Sequence, residues 1–344
     1  MVNITGLNRY SWKMLAFCLC SVFLLLTKAE ADNALANNLS GEPFSDPSVH
    51  IEMSPEWEKQ PVQYYDSDKG ADVVISLEQQ FYPVLLPVIE KYAKDHDLNI
   101  VVREGTCGIT AGLLSRKAVD VGGYCCAPGS TDRLPGLRFH TLGITAIALI
   151  VHTDNPINNI TLDEARRIFM GEIYRWSELK VSDKEKGPNM PIQPVARLHC
   201  KTRAGHWRLL LDNEDMFSPV LQEVGVIPDM IAKIAVKRRA IGYETMMMVN
   251  RYEDKGRVKA LSINGHDPDE KSYLLSGGYP LYRVYSLTTW EDRSLANSKA
   301  SKLVDYLMEE VERSHSRYDI IPASQLRKAG WKFNGDELVG EPEQ

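Results

Sequence analysis

Apolar and polar positions alternate along the chain in blocks that predict strands and helices in turn. Short apolar runs predict strands at residues 71–76, 99–102 and 119–124. Between them, apolar residues at helical spacing predict helices over residues 81–94 and 109–116, the first with prolines near its start, where a helix tolerates them. This alternation predicts an α/β fold with a mainly parallel sheet.

The second half of the chain continues the pattern and predicts a second lobe. A long apolar run over residues 142–152 predicts a strand that crosses into this lobe. Thr161-Leu-Asp-Glu164 is a capping box that opens a helix ending near Phe169. Residues 278–287 predict a strand that returns to the first lobe, and residues 298–313 predict an amphipathic helix.

The N-terminus has the pattern of a cleavable signal peptide over residues 1–31. Arg9 and Lys13 precede an apolar run at residues 14–26, and Ala29-Glu-Ala31 supplies small residues for cleavage. The alternative is an uncleaved anchor, but the run is shorter than the ~20 residues that span a bilayer. We therefore expect a periplasmic or otherwise extracytoplasmic protein, with residues 32–70 as an irregular leader.

Charge and cysteine content narrow the possible partners. The formal charge of -6 predicts no nucleic-acid partner. Two of the six cysteines lie in the signal peptide, which leaves Cys107, Cys125, Cys126 and Cys200. In an oxidising compartment these four are candidates for disulfides, with three possible connectivities.

Three polar loops carry most of the candidate chemistry. They cover residues 104–110, 122–128 and 197–207, and each follows a predicted strand. In open α/β sheets, ligands bind beyond the carboxyl ends of the strands. We therefore expect these loops to meet on one ligand.

The order of motifs resembles the phosphate-binding family of ABC phosphate transport, which are type II periplasmic solute-binding proteins. The match runs from about residue 73 to residue 322. Its most specific part is an apolar crossover followed by short motifs: Asn155-Pro156, Asn159-Ile-Thr-Leu162, Ile168-Phe-Met-Gly171, Trp176-Ser177, Ala240-Ile-Gly-Tyr243 and Gly278-Tyr-Pro-Leu-Tyr-Arg283.

This resemblance implies a two-lobed type II periplasmic-binding-protein fold, with mixed sheets, helices on both faces and a ligand cleft between the lobes. The implied limits are residues 71–148 plus 279–325 for lobe 1, residues 149–278 for lobe 2 and residues 326–344 for a C-terminal tail. The lobes would close by hinge motion near Ile150 and Tyr279. The implied role is that of a monomer that delivers phosphate or a related oxyanion to a membrane ABC permease, or senses it.

The ligand loops match the family in position but not in chemistry, because cysteines and histidines stand among the family's serines and glycines. For a small inorganic anion, N–H donors, hydroxyls and arginines are the appropriate groups. We expect the ligand-binding residues to be Ser76, Thr106, Cys107, Gly108, Cys125, Cys126, Arg197, Arg203, Gly205 and His206.

Two alternatives use the same loops. A soft metal ion or metalloid prefers thiol and imidazole ligands, which here would be Cys107, Cys125, Cys126, His199, Cys200 and His206. A Cys200–His206 nucleophile and base would make an enzyme, but no third orienting residue is identifiable and the family is non-catalytic. We therefore expect no enzyme and no required cofactor, with bound phosphate as the ligand and a soft metal ion as the alternative.

Overall fold

The computed structural model of the chain describes residues 44–198, 210, 211, 214–291 and 295–343. Its strands are β1 (Val73–Glu78), β2 (Ile100–Gly105), β3 (Val121–Tyr124), β4 (Leu137–His152), β5 (Asn159–Ile160), β6 (Lys180–Ser182), β7 (Glu185–Lys186), β8 (Gln193–Ala196), β9 (Gln222–Glu223), β10 (Ala240–Thr245), β11 (Val258–Ile263), β12 (Tyr282–Trp290), β13 (Ile321–Pro322), β14 (Lys332–Asn334) and β15 (Glu337–Gly340). Its helices are α1 (Pro55–Lys59), α2 (Tyr82–Asp95), α3 (Cys107–Ser115), α4 (Leu162–Met170), α5 (Ile227–Val236), α6 (Met246–Arg251), α7 (Lys271–Leu275), α8 (Ser298–Ser314) and α9 (Ala323–Lys328). The mixed α/β fold class predicted from the sequence is confirmed.

The sheet begins with three parallel strands that carry two of the predicted loops. β1 lies between β2 and β3, with Val73 opposite Ile100 and Ile75 opposite Val121. The strand order is β2-β1-β3-β12-β4-β10-β8-β9, and β12 runs antiparallel to both β3 and β4. The carboxyl ends of β1, β2 and β3 therefore share one edge, as expected for a ligand-binding edge.

β4 connects the two halves of the fold. Its first part pairs with β12, from Leu137 opposite Trp290 to Ala146 opposite Tyr282. Its last residues pair with β10 and β11 instead. The strand begins five residues before the apolar run at 142–152. The polar residues Arg138 and His140 break the apolar pattern there, but the strand still pairs with β12 at both positions.

The apolar core forms separate clusters on either side of β4. The first gathers residues of β1, β3, α2 and α8, including Ile75 and Leu303. The second gathers residues of β4, α4, β10 and β11, including Phe169 and Leu261, and a smaller third cluster lies against α5. Along β4, Leu142 still belongs to the first cluster and Ile144 belongs to the second. The lobe limits inferred from the sequence stay a prediction.

Helix α4, which packs in the second core cluster, shows how local sequence sets the two ends of an element. The Thr161 hydroxyl accepts a hydrogen bond from the Glu164 amide at 3.0 Å, and the Glu164 carboxylate accepts one from the Thr161 amide at 2.8 Å. Gly171 ends the helix with φ at 86°, a left-handed conformation that glycine adopts without strain. The capping box read from the sequence is therefore present.

The segment before β1 packs against the first core cluster although it has little regular structure. Trp57 of α1 donates its indole N–H to the Ser115 carbonyl at 2.6 Å. The buried Lys117 ammonium donates to the carbonyls of Trp57, Glu58 and Gln60.

The signal peptide predicted at residues 1–31 lies outside the described residues. Within the described ranges, no helix combines the length and apolar character needed to cross a bilayer.

Residues 326–343 also belong to the folded protein. They complete α9 and form the β14–β15 hairpin around Gly335, which has a φ of 59°. Leu338 of this hairpin is buried in the second core cluster. Glu337 pairs with the buried Arg133, accepting hydrogen bonds at 3.1 and 2.6 Å. The stretch predicted as a C-terminal tail is thus fixed to the fold by both apolar and ionic contacts.

Candidate functional site

Two of the three predicted loops bring their cysteines into contact. Cys107 is the first residue of α3, and Cys125 and Cys126 follow β3. The Cys107 Sγ lies 3.5 Å from the Cys125 Sγ and 3.8 Å from the Cys126 Sγ. All three side chains are buried, with 0%, 4% and 1% exposure in chain order, and all are free thiols. We call these three residues the thiol cluster.

Glycines in β3 let α3 approach closely enough to form this cluster. A Cβ on Gly122 would lie 2.6 Å from Leu114 Cδ1 and 2.8 Å from Thr110 Cγ2. Both contacts are shorter than a carbon–carbon contact allows, so only glycine permits this packing. The start of α3 and the end of β3 are held together as a result.

The hydroxyl residues predicted as ligands already have partners within the protein. Ser76 is fully buried in β1, and its hydroxyl lies 2.9 Å from that of Thr110. Thr106 is the N-cap of α3 and accepts a hydrogen bond from the Ile109 amide at 3.2 Å. Gly108 is exposed in the first turn of the same helix. Thr106 and Gly108 lie where a helix start offers N–H groups to an anion.

Glu78 is a buried carboxyl at the end of β1 that the sequence did not identify. Its two carboxylate oxygens accept hydrogen bonds from the Gln80 amide at 2.9 Å and the Phe81 amide at 2.8 Å, just before α2. Burial, followed by the nearby Cys125, raises the pKa of Glu78 well above its usual value. The protonated, neutral form is therefore favoured at this position.

Arg197 follows β8 and is buried, as a ligand-binding arginine requires. Its Nη2 donates to Glu244 Oε2 at 2.9 Å, and its Nη1 donates to Gln79 Oε1 at 3.1 Å. Only 4% of the residue is exposed. The buried Nε has no hydrogen-bond partner among the described residues. The guanidinium is thus held in place with one donor available.

A carboxylate of the protein occupies the donors around Arg197. Glu244, in β10, is fully buried. Its Oε1 accepts hydrogen bonds from Gln80 Nε2 at 3.0 Å and from the Thr245 amide at 2.9 Å. Its Oε2 accepts the hydrogen bond from Arg197 Nη2. Gln80 also accepts a hydrogen bond from the Tyr285 hydroxyl. Three converging donors around one carboxylate make an anion-binding arrangement that Glu244 fills.

A second buried arginine lies beside the thiol cluster. Arg283 of β12 donates from Nη1 to Cys125 Sγ at 3.6 Å. Burial lowers the pKa of Arg283, but Cys125 and Glu244 outweigh it and the pKa is raised overall. The pKa of Cys126 is raised well above its usual value by hydrogen bonds to Cys107 and Cys125 and by burial. Arg283 is therefore a fixed positive charge beside the thiols, and Cys126 keeps its proton.

Of the predicted site residues, the structure places Cys107, Cys125 and Cys126 together. Arg197 is connected to the end of β1 through Gln79. Arg203, Gly205 and His206, with His199 and Cys200 of the metal alternative, lie outside the described residues. Sequence reasoning missed Glu78, Gln80, Glu244, Arg283 and Tyr285. Two of these residues could have been found from their positions in the sequence. Glu244 directly follows one motif of the family resemblance, and Arg283 is the last residue of another.

Metal binding receives no support from the described side chains. Among residues that the structure describes, no group of three or more His, Cys, Asp or Glu side chains has an arrangement that could hold a metal ion. The three sulfurs of the thiol cluster lie in mutual contact and are not arranged to hold an ion. The soft-metal alternative would therefore need residues from the 199–209 stretch or a rearrangement of the cluster.

Comparisons with known proteins agree with this architecture. Residues 65–311 match the family model described as the PBP superfamily domain. The phosphate-binding protein PstS of Bacillus subtilis (strain 168) is 28% identical over 260 residues, which cover 72% of this chain and 81% of the relative. An ABC-type phosphate transport receptor from Vibrio cholerae superimposes with a TM-score of 0.60 at 20% identity, covering 72% of this chain and 99% of the receptor.

A substrate-binding protein from Clostridium perfringens, crystallised with bound phosphate, has the same fold. Its TM-score is 0.61 at 20% identity, and the match covers 73% of this chain and 98% of that protein. The two structural relatives establish the fold, and the family model spans most of the described residues. The chain belongs to the PBP superfamily.

Proposed function

We propose that this protein is an extracytoplasmic solute-binding protein that captures phosphate or a related oxyanion and delivers it to a membrane ABC permease. The observation that carries the proposal is the buried Arg197, held at the end of β8 with its guanidinium surrounded by donors that converge on a carboxylate. Similarity to a phosphate-binding protein over 260 residues supports phosphate as the ligand.

Glu244 occupies the position that an oxyanion would take. A carboxylate and a phosphate both accept paired hydrogen bonds from a guanidinium fork and from N–H groups. Arg197 Nη2, Gln80 Nε2 and the Thr245 amide already converge on the Glu244 carboxylate. An entering phosphate would displace Glu244 from Arg197 and use the N–H groups at the start of α3. Arg203, Gly205 and His206 would complete the site from the third loop.

Export through the predicted signal peptide fits delivery to a permease outside the cytoplasm. A receptor of this kind acts as a monomer that closes its cleft by hinge motion. Transport and sensing would use the same site. We propose a membrane ABC permease as the partner because the similar protein from Vibrio cholerae is an ABC-type phosphate transport receptor. We propose binding without catalysis, since the relatives are receptors and binding proteins.

The alternative ligand is a soft metal ion or metalloid bound through thiols. Soft ions prefer sulfur ligands. The described side chains alone form no metal-holding group, so this alternative would add His199, Cys200 and His206 to the contact of Cys107 with Cys125 and Cys126. Native mass spectrometry distinguishes the two candidates. Metal retained by the wild type but lost in Cys107→Ser would favour the thiol site, and bound phosphate without metal would exclude it.

The arginine proposal is tested by isothermal titration of phosphate into wild type, Arg197→Gln and Arg133→Gln. Both variants remove a buried arginine from a buried carboxylate, so they carry similar stability costs. Only Arg197 belongs to the proposed site. Removing a charge-assisted bidentate contact costs about 2 kcal/mol or more, so we expect phosphate affinity to fall at least about 30-fold in Arg197→Gln. Equal losses in both variants, or none in Arg197→Gln, would contradict the proposal.

A further inference from the structure

The thiol cluster has chemistry that anion capture does not require. Phosphate binding needs hydrogen-bond donors, which hydroxyl groups supply better than thiols, since S–H is a weak donor. Here three thiols lie in contact at the edge where β1, β2 and β3 end. Cys107 is the shared neighbour, 3.5 Å from Cys125 and 3.8 Å from Cys126. A disulfide bond is about 2.05 Å long, so a closing movement of about 1.5 Å joins Cys107 to Cys125.

The hydrogen bonds around the cluster distinguish the three sulfurs. Cys107 Sγ accepts the Cys125 amide N–H at 3.5 Å and the Cys126 thiol at 3.8 Å, and it lies at the N-terminus of the nine-residue helix α3. Donors and a helix N-terminus both stabilise a thiolate. Cys126 is the hydrogen-bond donor in its contact with Cys107. Cys107 is therefore the sulfur best placed to act as a nucleophile.

Cys125 has the surroundings of a resolving thiol. The Arg283 guanidinium donates to its sulfur at 3.6 Å, and the neutral form of Glu78 is favoured beside it. Tyr285 and Glu244 are the other ionisable groups that act on this part of the site. A buried cation next to sulfur stabilises the thiolate that must attack in the second step of disulfide exchange. Cys126, with no cation contact among the described hydrogen bonds, is the remaining thiol.

We propose that Cys107 and Cys125 form a redox modification site that is oxidised to a disulfide by a low-molecular-weight disulfide. The Cys107 thiolate attacks one sulfur of the small disulfide, which forms a mixed disulfide and releases one small thiolate. The Cys125 sulfur then attacks Cys107 Sγ and expels the second small thiolate. Two electrons pass from the two cysteines to the small disulfide, and their two protons go to the two released thiols. Cys126 stays reduced.

The burial of the cluster makes the reaction depend on opening of the site. Exposures of 0% and 4% leave Cys107 and Cys125 inaccessible to a reagent larger than water in the described arrangement. Exchange therefore proceeds through local opening, and its rate reports how often the start of α3 and the end of β3 separate. A small, uncharged and linear reagent such as 2-hydroxyethyl disulfide suits this test.

The experiment maps disulfides in the full chain after incubation with mixtures of 2-hydroxyethyl disulfide and 2-mercaptoethanol, followed by acid quenching and alkylation. Trypsin leaves Cys107 in the peptide 104–116 and both other cluster cysteines in the peptide 118–133, because Arg103, Arg116, Lys117 and Arg133 flank them. We expect a cross-linked pair of these two peptides. Fragmentation between Cys125 and Cys126 identifies the bonded residue.

Single cysteine-to-serine variants identify which thiols form the bond. Cys126→Ser should retain the cross-link, while Cys107→Ser should abolish it, with circular dichroism confirming that each variant is folded. In Cys125→Ser, we expect at least a ten-fold slower reaction through Cys126. Free thiols at all three positions under excess oxidant would overturn the inference, as would a bond from Cys107 to Cys200 in the wild type.

A functional consequence follows, and it rests on the proposed function. Formation of the bond draws the Cys107 and Cys125 sulfurs about 1.5 Å closer together and shifts the start of α3, whose N–H groups the proposed phosphate site uses. We therefore expect the phosphate dissociation constant to rise several-fold in the oxidised protein. Identical affinity in both redox states would contradict this coupling. Absence of phosphate binding in the reduced protein would instead refute the proposed function, and the peptide mapping would decide the redox site independently.

Discussion

Glu244→Gln tests whether this carboxylate occupies the anion position. In the wild type, one carboxylate oxygen of Glu244 accepts a hydrogen bond from the Arg197 guanidinium, and the other accepts hydrogen bonds from two N–H donors. In the variant, the amide oxygen can keep the bonds from Gln80 and the Thr245 amide. The amide NH₂ group then faces Arg197 Nη2, so a donor meets a donor. The guanidinium stays buried without its counter-charge.

The expected cost follows from that arrangement. Removing one partner of a buried ion pair costs about 3–5 kcal/mol. Because two of the three hydrogen bonds are retained, we expect the free energy of unfolding to fall by about 3 kcal/mol without phosphate. Phosphate no longer competes with a carboxylate in the variant and should bind more tightly. A ten-fold lower dissociation constant adds about 1.4 kcal/mol of stabilisation at saturating phosphate.

Urea unfolding with and without phosphate measures both effects. Glu337→Gln is the matched control, since Glu337 is also a buried partner of a buried arginine, Arg133, far along the chain from the site. We expect the control to lose stability while gaining no more from phosphate than the wild type. If phosphate stabilises Glu244→Gln no more than it stabilises the control, Glu244 does not hold the anion position.

Two further variants test the packing and protonation of the site. Gly122→Ala places a methyl group 2.6 Å from Leu114 Cδ1, so we expect urea unfolding to show about 1–3 kcal/mol of destabilisation. The control is Gly225→Ala, where the added methyl group meets no atom within 4 Å. It should change the free energy of unfolding by less than about 0.5 kcal/mol. The folded-state pKa of Glu78 is raised, so the wild type binds more protons folded than unfolded and loses stability as pH rises above about 4.5. The stability of Glu78→Gln lacks this contribution, so the advantage of wild type over variant should shrink as pH rises; an advantage that grows with pH would refute the protonation argument.

Much of the fold could be predicted because its elements are strongly patterned. The run at residues 142–152, the capping box at Thr161 and the amphipathic helix at 298–313 all correspond to elements of the structure. The rule that parallel strands end at a common edge correctly predicts that the loops bearing Cys107 and Cys125 meet. These inferences rest on local periodicity and on topology, which a single sequence contains.

The polar contacts of the site could not be predicted in the same way. Ser76 lies in a strand buried along its whole length, so periodicity does not indicate that its hydroxyl faces Thr110. Glu244 and Arg283 are charged residues inside buried strands, where apolar residues are usual. Their roles depend on partners far away in the chain, such as Gln80 and Cys125. The hairpin at the C-terminus did have a local signal, Gly335-Asp336, a pair that is typical of the two-residue loop of a β-hairpin.

Titration of inorganic phosphate into the reduced wild-type protein tests the central claim most directly. Isothermal titration calorimetry on protein kept in excess reductant reports both stoichiometry and affinity, and a matched titration with chloride controls for ionic strength. The proposed function predicts saturable binding of one phosphate per chain. A folded, fully reduced protein that shows no saturable heat at millimolar phosphate would contradict it.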